Sequence, residues 1–413
     1  MDLGLTLPLT SHPELALSSL LSVAYQASLL RDEDRALSFR IVLGPPALFP
    51  AQGGPPYGAH RLLFERPLPF EVHELRKLAP AVKFQRSLVG VNETEGRIEI
   101  WGVVHTGPRW LRFAQGGRGP APELNPSALV IHVNGPGDLV VSLASQTLAR
   151  LFAGELTTPM LDVFDASWLP QVFLGQRDEI RVAHDAEREA ASEPWANVDL
   201  RTIGYVSRNL IRRIVATIRA GRHGGAILIV PPDAEGALSE RGLLDIKYKF
   251  VDAEPRRRFR SLLLNILAEL GRLGARNEVE ANWELYEETE SKLIVAFDEA
   301  VFEVAHLVAA LSDVDGMVVL NHRFEILGFG AVVSGHLPEV DRVSQALDLD
   351  GDERIDEATS AVGTRHRAAY RVTAAIPGSL AIVVSQDGSV RFIRDVDGRV
   401  TYWDQVAAAA FGG

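Results

Sequence analysis

Cysteine is absent from the sequence, which excludes disulfides, thiolate metal sites and cysteine nucleophiles. Long hydrophobic runs are absent as well, since none approaches the roughly 18 residues needed to span a bilayer. The N-terminal stretch MDLGLTLPLTSHPELALSSLL has no basic region ahead of its apolar residues, unlike a secretory signal. We therefore predict a soluble, unprocessed protein of the cytoplasm that makes no membrane contact.

Positive charge is scarce, because 42 lysines and arginines stand against 54 acidic residues, a net charge of -12. A sequence-independent nucleic-acid binder usually presents a basic face, so nucleic acid is not an expected partner. Any anionic ligand must instead be held by a local cluster of cations. The remaining composition, 46% hydrophobic over 413 residues, is that of a globular protein long enough for two or three domains.

The common catalytic motifs are missing too. No glycine-rich turn is followed by Gly-Lys-Ser/Thr, and neither an HExxH zinc motif nor a GxSxG nucleophile elbow occurs. The glycines of AQGGRGPAP, Ala114 to Pro122, lack the lysine and the strand-to-helix setting of a phosphate loop. We interpret this stretch as a surface loop.

The hydrophobic pattern changes near residue 190 and predicts two domains. A helix near Leu15 to Leu30 and a Pro/Gly-rich loop are followed by runs of strand type: RLLFERPL, RSLVGV, RIEIWGVVHTG and ALVIHVNGPGDLVVSL, the last with a hairpin turn. These runs predict a β-rich α+β domain over residues 1–190. The acidic segment HDAEREAASEP, His184 to Pro194, is interpreted as a solvated helix or linker that leads out of it.

Residues 191–413 are predicted to form an α/β domain. A helical stripe of apolar residues precedes the strand-like run AILIVPP, and its members are Ile203, Val206, Leu210, Ile214 and Ile218. A charged region from about Pro255 to Leu311 predicts two or three helices. The runs GMVVL, FEIL, GAVVSG, LAIVVS, SVRFI and RVTYW then predict strands of a mixed β-sheet flanked by helices.

Two charged segments have structural interpretations. DLDGDERIDEAT begins like an EF-hand loop, but Glu353 replaces the turn glycine and Thr359 the bidentate glutamate, so calcium is not an expected ligand. RRRFR, Arg256 to Arg260, stands at a predicted helix start, where positive charge opposes the helix dipole. We expect these arginines to pair with acidic side chains, such as those of the nearby Glu-rich helix.

The segment GTRHRAAYRV, Gly363 to Val372, is a dense cationic cluster in an acidic chain. Arg365 and Arg367 can offer forked donors to phosphate oxygens, and His366 can donate a hydrogen bond or bind a metal. Gly363 allows close backbone approach, and Thr364 adds a hydroxyl at the start of a predicted helix, whose N–H groups attract anions. Most Arg-His-Arg triplets are solvated surface, so the triplet by itself leaves phosphate binding open.

The order of motifs around this cluster resembles the diadenylate cyclase domain. That family carries Asp-Gly-Ala after a helix and Gly-Thr-Arg-His-Arg before one. The second motif is complete here, and the first stands as Asp315, Gly316 and Met317, with methionine in place of alanine. The resemblance covers roughly residues 199–403 and is closest to the DNA-integrity-scanning branch. A β-rich N-terminal half joined to such a domain also resembles the DACNV group, a probable sensor family, in architecture.

The resemblance implies roles for particular residues. Asp315 would place a catalytic Mg²⁺ or Mn²⁺ ion and the attacking ribose hydroxyl of ATP. The nucleotide phosphates would be gripped by Thr364, Arg365, His366 and Arg367, and the adenine pocket lined by Leu327, Gly328, Gly330 and Ala331. The predicted nucleotide-binding set is completed by Gly316, Met317 and Gly363. Active members pair two domains face to face and convert two ATP to cyclic di-AMP and pyrophosphate, chemistry that needs metal and arginine to absorb developing charge.

Four features depart from that family pattern, and one is the helical region between Pro255 and Leu311, which is longer than usual in the family. Met317 is bulkier than alanine beside the metal aspartate and could narrow or cover the site. The acidic stretch Gly335 to Ala358 looks inserted ahead of the phosphate motif. Some cyclases carry paired glutamates after the late strand, whereas here Ser385 is followed by Gln386 and Asp387.

These departures leave three functions open. The first is a nucleotide sensor that binds ATP or a cyclic dinucleotide and whose N-terminal domain relays the signal to an unidentified protein partner. The second is an active diadenylate cyclase, which would work as a homodimer or a higher homo-oligomer. The third is a degenerate scaffold, in which the Arg-His-Arg cluster pairs with carboxylates such as Asp313 or Glu357.

Overall fold

The computed structural model describes residues 13–49, 51, 54–55, 59–107, 116–118, 128–143, 146–152, 154–157, 161–240 and 242–405. The chain divides into two compact units. The N-terminal unit comprises Met1–Gln115, Gly119–Met160 and Ala407–Gly413, and the C-terminal unit comprises Gly116–Arg118 and Leu161–Val406. Both units combine helices with a mixed sheet, so the predicted α/β class is confirmed.

The described strands of the N-terminal unit are β1 (Arg31–Asp32), β2 (Arg35–Ala36), β3 (Phe39–Leu43), β4 (His60–Pro69), β5 (Ser87–Thr94), β6 (Arg97–His105), β7 (Leu129–Gly135), β8 (Asp138–Leu143), β9 (Gln146–Phe152) and β10 (Glu155–Thr157). β1 and β2 form a hairpin, and the others form one sheet in the order β10-β9-β8-β7-β3-β5-β6-β4. Strands β3 and β5 run parallel, and the other neighbouring pairs described in this sheet are antiparallel.

Helices α1 (Pro13–Ser28) and α2 (Val72–Leu78) pack on one face of that sheet. Side chains alternate along a strand, so Phe39 and Ile41 join the core beneath the helices. Val42, between Ile41 and Leu43, faces the opposite side and packs in a cluster with Phe49 and Trp101. The predicted strand runs and the NGPGD hairpin of this half are confirmed.

The described strands of the C-terminal unit are β11 (Gly225–Val230), β12 (Leu244–Lys249), β13 (Met317–Asn321), β14 (Ile326–Val333), β15 (Arg342–Ala346), β16 (Arg354–Ala358), β17 (Leu380–Val384), β18 (Val390–Val396) and β19 (Arg399–Asp404). They form one sheet in the order β12-β14-β13-β11-β17-β18-β19-β15-β16. The pairs β11·β13 and β15·β19 are parallel, which makes the sheet mixed, as predicted.

The described helices of this unit are α3 (Trp168–Gln171), α4 (Leu174–Ala190), α5 (Arg201–Gly221), α6 (Glu235–Glu240), α7 (Ala253–Arg256), α8 (Arg258–Asn277), α9 (Trp283–Glu288), α10 (Lys292–Leu311) and α11 (Thr364–Ala375). Helices α5, α8 and α10 share a core with Ile227 and Ile229 on one sheet face. Helix α11 packs on the other face, against Ala226 and Leu228. The predicted apolar stripe of α5, Ile203 to Ile218, is buried in the first of these cores. No helix of the described residues is both long and apolar enough to cross a membrane.

The units divide at Leu161, whereas the hydrophobic pattern placed the change near residue 190. Residues 161–190 belong to the C-terminal unit because Phe164, Trp168, Phe173 and Ile180 are buried in its main core. Helix α4 runs to Ala190, so the acidic segment is partly helical. Its residue His184 is only 2% exposed and packs 5.5 Å from the Trp195 ring, which differs from a fully solvated linker.

Other predicted elements differ in detail. The acidic stretch that looked like an inserted loop forms the hairpin β15–β16, and β15 pairs with β19. The runs FEIL and GAVVSG contribute to a single strand, β14, which begins at Ile326 and ends at Val333. Two arginines of RRRFR pair with an acid, and the partner is Glu325 before β14: Arg257 Nε lies 2.9 Å and Arg256 Nη2 3.8 Å from its carboxylate. Of the predicted loop at Ala114–Pro122, only Gly116–Arg118 lies within the described residues.

Candidate functional site

Both sequence motifs meet in one cleft at an end of the C-terminal sheet. β13 begins and β14 ends at this end of the sheet. β11 is parallel to β13 and antiparallel to β17, so β11 also begins here and β17 also ends here. The cleft has a volume of about 820 Å³, inside the range of roughly 300–1,000 Å³ that small-molecule sites occupy. The predicted site residues that line it are Asp315, Gly316, Met317, Ala331, Gly363, Thr364, Arg365 and His366.

The start of helix α11 supplies the cationic side of the cleft. Gly363 is the N-cap, with φ -66 and ψ 165, and Thr364 and Arg365 follow in the first turn. The first N–H groups of a helix lack intrahelical acceptors and carry partial positive charge. Backbone N–H groups, a hydroxyl and a guanidinium therefore stand together at one wall, a combination suited to an anion.

Arg365 is half-buried and is positioned by backbone. Its Nη1 donates to the carbonyl oxygen of His223 at 3.2 Å. At the next residue, Gly224, a Cβ would lie 3.0 Å from that Nη1 and 2.7 Å from the Val384 carbonyl oxygen, and φ is +65. Only glycine suits this combination of left-handed backbone and close approach, so Gly224 makes room for the arginine.

The degenerate-scaffold hypothesis pairs the Arg-His-Arg cluster with Asp313 or Glu357. In the described part of the chain, neither carboxylate pairs with Arg365. Glu357 instead accepts a hydrogen bond from the Tyr402 hydroxyl at 2.6 Å. Asp313 is exposed on the turn before β13. The Arg365 guanidinium donates to the His223 carbonyl and, among the described residues, forms no ion pair with an acid.

His366 is held in its neutral form at pH 7. Its pKa is lowered to about 4, mainly by burial and also by the nearby Arg391 guanidinium, while Asp387 opposes the change. A neutral imidazole can both donate and accept a hydrogen bond. An anion bound beside His366 would favour the charged form and raise this pKa.

A polar network anchors α11 to the sheet behind the cleft. Arg391 on β18 pairs with Asp404 at 2.9 Å and donates to the Tyr370 hydroxyl at 3.0 Å. Its guanidinium also stacks over the Tyr402 ring at 4.1 Å. Tyr370 lies one turn after His366 on the same helix, so this network fixes the turn that carries the cleft residues.

Asp315 is exposed, lines the cleft and has no recorded side-chain hydrogen bond or ion pair with another described residue. The next residue, Gly316, has φ +111, and a Cβ there would lie 2.6 Å from the Gly330 carbonyl carbon and 2.8 Å from the Ala331 carbonyl oxygen. Met317 lines the cleft yet is 3% exposed, packed in the core beneath α11. The core therefore accommodates most of the bulk that distinguishes it from alanine.

The carboxylates that line the cleft, Asp315 and Asp387, fit a Mg²⁺ or Mn²⁺ ion only together with a ligand. The described residues contain no group of three metal-ligating side chains. Magnesium is commonly held by one or two carboxylates, with water and substrate phosphates completing its octahedron. Asp315 and Asp387 match this arrangement, because a bound phosphate could supply the remaining oxygen ligands.

Some predicted site residues lie outside the cleft lining. Arg367 is exposed on α11, and Leu327, Gly328 and Gly330 sit along β14. Gly328 lets β12 approach, since a Cβ there would collide with the Tyr248 carbonyl oxygen. The lining also includes residues outside the motifs, among them Ala226, Val332, Val383, Ser385, Gln386 and Asp387. Two sequence signals point to members of this set: the missing paired glutamates at Ser385 to Asp387, and Val332 at the end of GFGAV, the stretch matched to the adenine pocket.

Residues 8–105 match the family model of the probable sensor domain DACNV. The match lies in the N-terminal unit and covers less than a quarter of the 413 residues. It confirms the predicted likeness to the DACNV group for that part of the chain. Neither the curated proteins nor the solved structures contain a match. The diadenylate cyclase resemblance of the C-terminal unit remains a prediction from its motifs.

Proposed function

We propose that the C-terminal unit binds a purine nucleotide, ATP or a cyclic dinucleotide, in the cleft and that the protein is a nucleotide sensor. The observation that carries the proposal is the convergence of Asp315 with Thr364, Arg365 and His366 in one cleft. Asp315 precedes β13, whereas the other three residues are consecutive at the start of α11, so two segments that are distant in sequence converge here. In a chain of net charge -12, such a cluster of donors is well suited to a specific anion.

Each part of the cleft has a role in this proposal. The Arg365 guanidinium, the Thr364 hydroxyl and the start of α11 hold phosphate oxygens. Asp315 holds a divalent ion, which would neutralise phosphate charge when bound. The apolar walls, which include Ala226 and Val383, receive the purine base.

The sensor role is supported by the N-terminal unit. Its residues 8–105 match a family described as a probable sensor domain. We propose that this unit relays the nucleotide-bound state to a protein partner.

The test of binding is the titration of His366, followed by NMR of the imidazole and assigned with His366→Gln. In the free protein its pKa is expected at about 4. Saturating ATP with Mg²⁺ should raise it toward its ordinary value of about 6.5, because phosphate stabilises the imidazolium. Binding with no change in this pKa would place the phosphates elsewhere, and absence of binding would end the proposal.

A second function, diadenylate cyclase activity, is favoured by one observation: Asp315 is an exposed carboxylate that no other described side chain pairs with, as a metal ligand and hydroxyl anchor would need. The 3′-hydroxyl of each ATP would attack the α-phosphate of the other across a homodimer, forming two phosphodiester bonds and releasing two pyrophosphates. The test is mass spectrometry of protein incubated with ATP and Mn²⁺ or Mg²⁺. Cyclic di-AMP made by the wild type but not by Asp315→Asn, with binding retained, would establish the cyclase. ATP binding without formation of cyclic di-AMP would favour the sensor function.

A further inference from the structure

A second cavity lies in the C-terminal unit beside the start of helix α5. It has a volume of about 210 Å³, and its apolar walls are formed by Pro170, Phe173, Leu200 and Ile203. Among the described residues it shares no lining residue with the nucleotide cleft. It is too small for a nucleotide, since it falls below the roughly 300 Å³ at which drug-sized sites begin.

Arginines contribute the charge of this cavity. Arg201 is neutralised by Asp199, whose carboxylate lies 2.7 Å from its Nη2. Arg177 lies 4.0 Å from Asp178, at the limit of an ion pair. The third lining arginine, Arg208, has no acidic side chain within ion-pair distance in the described residues.

Arg208 makes few contacts for a half-buried cation. Its Nη1 donates to the Phe164 carbonyl oxygen at 3.4 Å, and its guanidinium lies 5.2 Å from the Tyr205 ring. Its Nε is buried and has no hydrogen-bond partner among the described residues. Asp165 and Glu287 act on it only at longer range. One positive charge at the cavity is therefore uncompensated at short range.

A buried hydroxyl adds an independent observation. Ser207, the neighbour of Arg208, lines the cavity, is 1% exposed and has no hydrogen-bond partner for its Oγ in the described residues. A buried hydroxyl without a partner costs free energy, on the order of 1–3 kcal/mol, and a ligand oxygen would offset that cost.

A glycine leaves the space open. Gly204 lines the cavity, and a Cβ added there meets no atom within 4 Å. Alanine would favour the helix by about 1 kcal/mol at such a position, so glycine brings no helical benefit. The empty volume above Gly204 is available to a ligand.

We propose that this cavity binds a small organic monocarboxylate with a compact apolar body. The single uncompensated cation matches one negative charge, the forked guanidinium matches a carboxylate, and the walls match an aliphatic or aromatic body. The Ser207 hydroxyl donates to a carboxylate oxygen. This site is independent of the nucleotide cleft.

The test is isothermal titration calorimetry of the full chain with benzoate and hexanoate, beside the neutral isosteres benzamide and hexanamide. At least one carboxylate should bind about 10-fold or more tightly than its amide, because the neutral amide cannot form an ion pair with Arg208. Arg208→Gln should remove this preference. Equal binding of acid and amide, or no heat with either acid at about 10 mM, would overturn the proposal.

The second part of the test is a variant whose new side chain fills the cavity. Gly204→Leu should abolish carboxylate binding, whereas Gly175→Leu, on helix α4 with equal open space, should leave it unchanged. The far-ultraviolet circular dichroism spectrum of Gly204→Leu, measured in parallel, should equal that of the wild type and shows whether the variant is folded. Undiminished carboxylate binding by Gly204→Leu would overturn the assignment of the ligand to this cavity.

Discussion

A single glycine, Gly316, sets where the Asp315 carboxylate stands. Its φ of +111 and the close approach of the Gly330 and Ala331 backbones leave no room for a Cβ. Gly316→Ala should therefore destabilise the C-terminal unit by about 1–3 kcal/mol, the usual cost of a residue forced into such a conformation. Urea denaturation followed by tryptophan fluorescence measures this loss.

Gly335→Ala is the matched control, since Gly335 is exposed, has an ordinary φ and would meet no atom with a Cβ. Its free energy of unfolding should stay within about 0.5 kcal/mol of the wild type. Equal stability of the two variants would contradict the positioning role of Gly316.

His366 makes stability depend on pH. Its pKa falls from 6.5 in the unfolded chain to about 4 in the folded protein, mainly through burial. The unfolded chain therefore binds more protons between these values, and the contribution of His366 to stability, complete above about pH 6.5, is lost as pH falls toward 4. His366→Gln should lose less stability than the wild type between about pH 7 and pH 5. Denaturation curves with parallel pH dependence would argue against a neutral, buried imidazole.

Motifs predicted which residues converge, but not which of them face the cleft. The order of DGM and GTRHR along the chain was enough to bring Asp315 and Arg365 together. Arg367 follows two residues later on α11, and the 3.6-residue period places it on another side of the helix. Along β14 the register shifts against β13, and such an irregularity has no signal in the sequence.

At the scale of elements, a buried ion pair joins helices α5 and α10. Arg213 Nη2 lies 2.5 Å from Asp298 Oδ1, and the Tyr286 hydroxyl donates to the same oxygen at 3.0 Å. Arg213→Met would leave a nearly buried carboxylate without its cation. We expect a loss of about 3–5 kcal/mol in the free energy of unfolding, measured by urea denaturation.

The double variant Arg213→Met with Asp298→Leu separates charge from packing. Replacement of both charges by apolar side chains should recover much of the loss, because no buried charge is then unpaired. A double variant as unstable as Arg213→Met would indicate that hydrogen bonds and packing, rather than the ion pair, hold the helices.

Elements with a strong hydrophobic periodicity could be predicted from the sequence. Elements that depend on pairing with a distant segment could not. The apolar residues of α5 are spaced three or four apart, and this helical spacing is visible in the sequence. The hairpin β15–β16 lies in a segment rich in acid and poor in apolar pattern, with Ile355 exposed. It is a strand pair because β15 adds to β19, a contact between segments distant in sequence.

At the scale of the whole chain, a short segment from the N-terminal part of the sequence belongs to the C-terminal unit. Arg118 Nη1 donates to the carbonyl oxygens of Tyr286, at 2.6 Å, and Thr289, at 2.5 Å, where helix α9 ends. A cation there also complements the helix dipole. Arg118→Gln should cost about 1–3 kcal/mol of stability, measured by thermal denaturation.

Arg97→Gln, at an exposed strand end of the N-terminal unit, serves as the comparison and should change stability by less than about 0.5 kcal/mol. An Arg118→Gln variant equally close to the wild type would show that the capping bonds contribute nothing measurable.

The division of the chain was predictable only in outline. Two units and a β-rich first half follow from pattern, but residues 161–190 carry few long apolar runs. Their assignment depends on scattered side chains, such as Trp168 and Ile180, that fill the core of the second unit. A boundary of that kind is fixed by packing between distant segments, which a local pattern does not contain.

The most direct test of the central claim is calorimetric titration of the whole protein with ATP and with cyclic di-AMP, for the wild type, Arg365→Gln and Arg367→Gln. Both arginines belong to one motif, but only Arg365 lines the cleft. Arg365→Gln should weaken binding about 10- to 100-fold, as loss of charge-assisted phosphate bonds does, and Arg367→Gln clearly less. Absence of binding to the wild type, or equal affinity of the wild type and Arg365→Gln, would contradict a nucleotide site in this cleft.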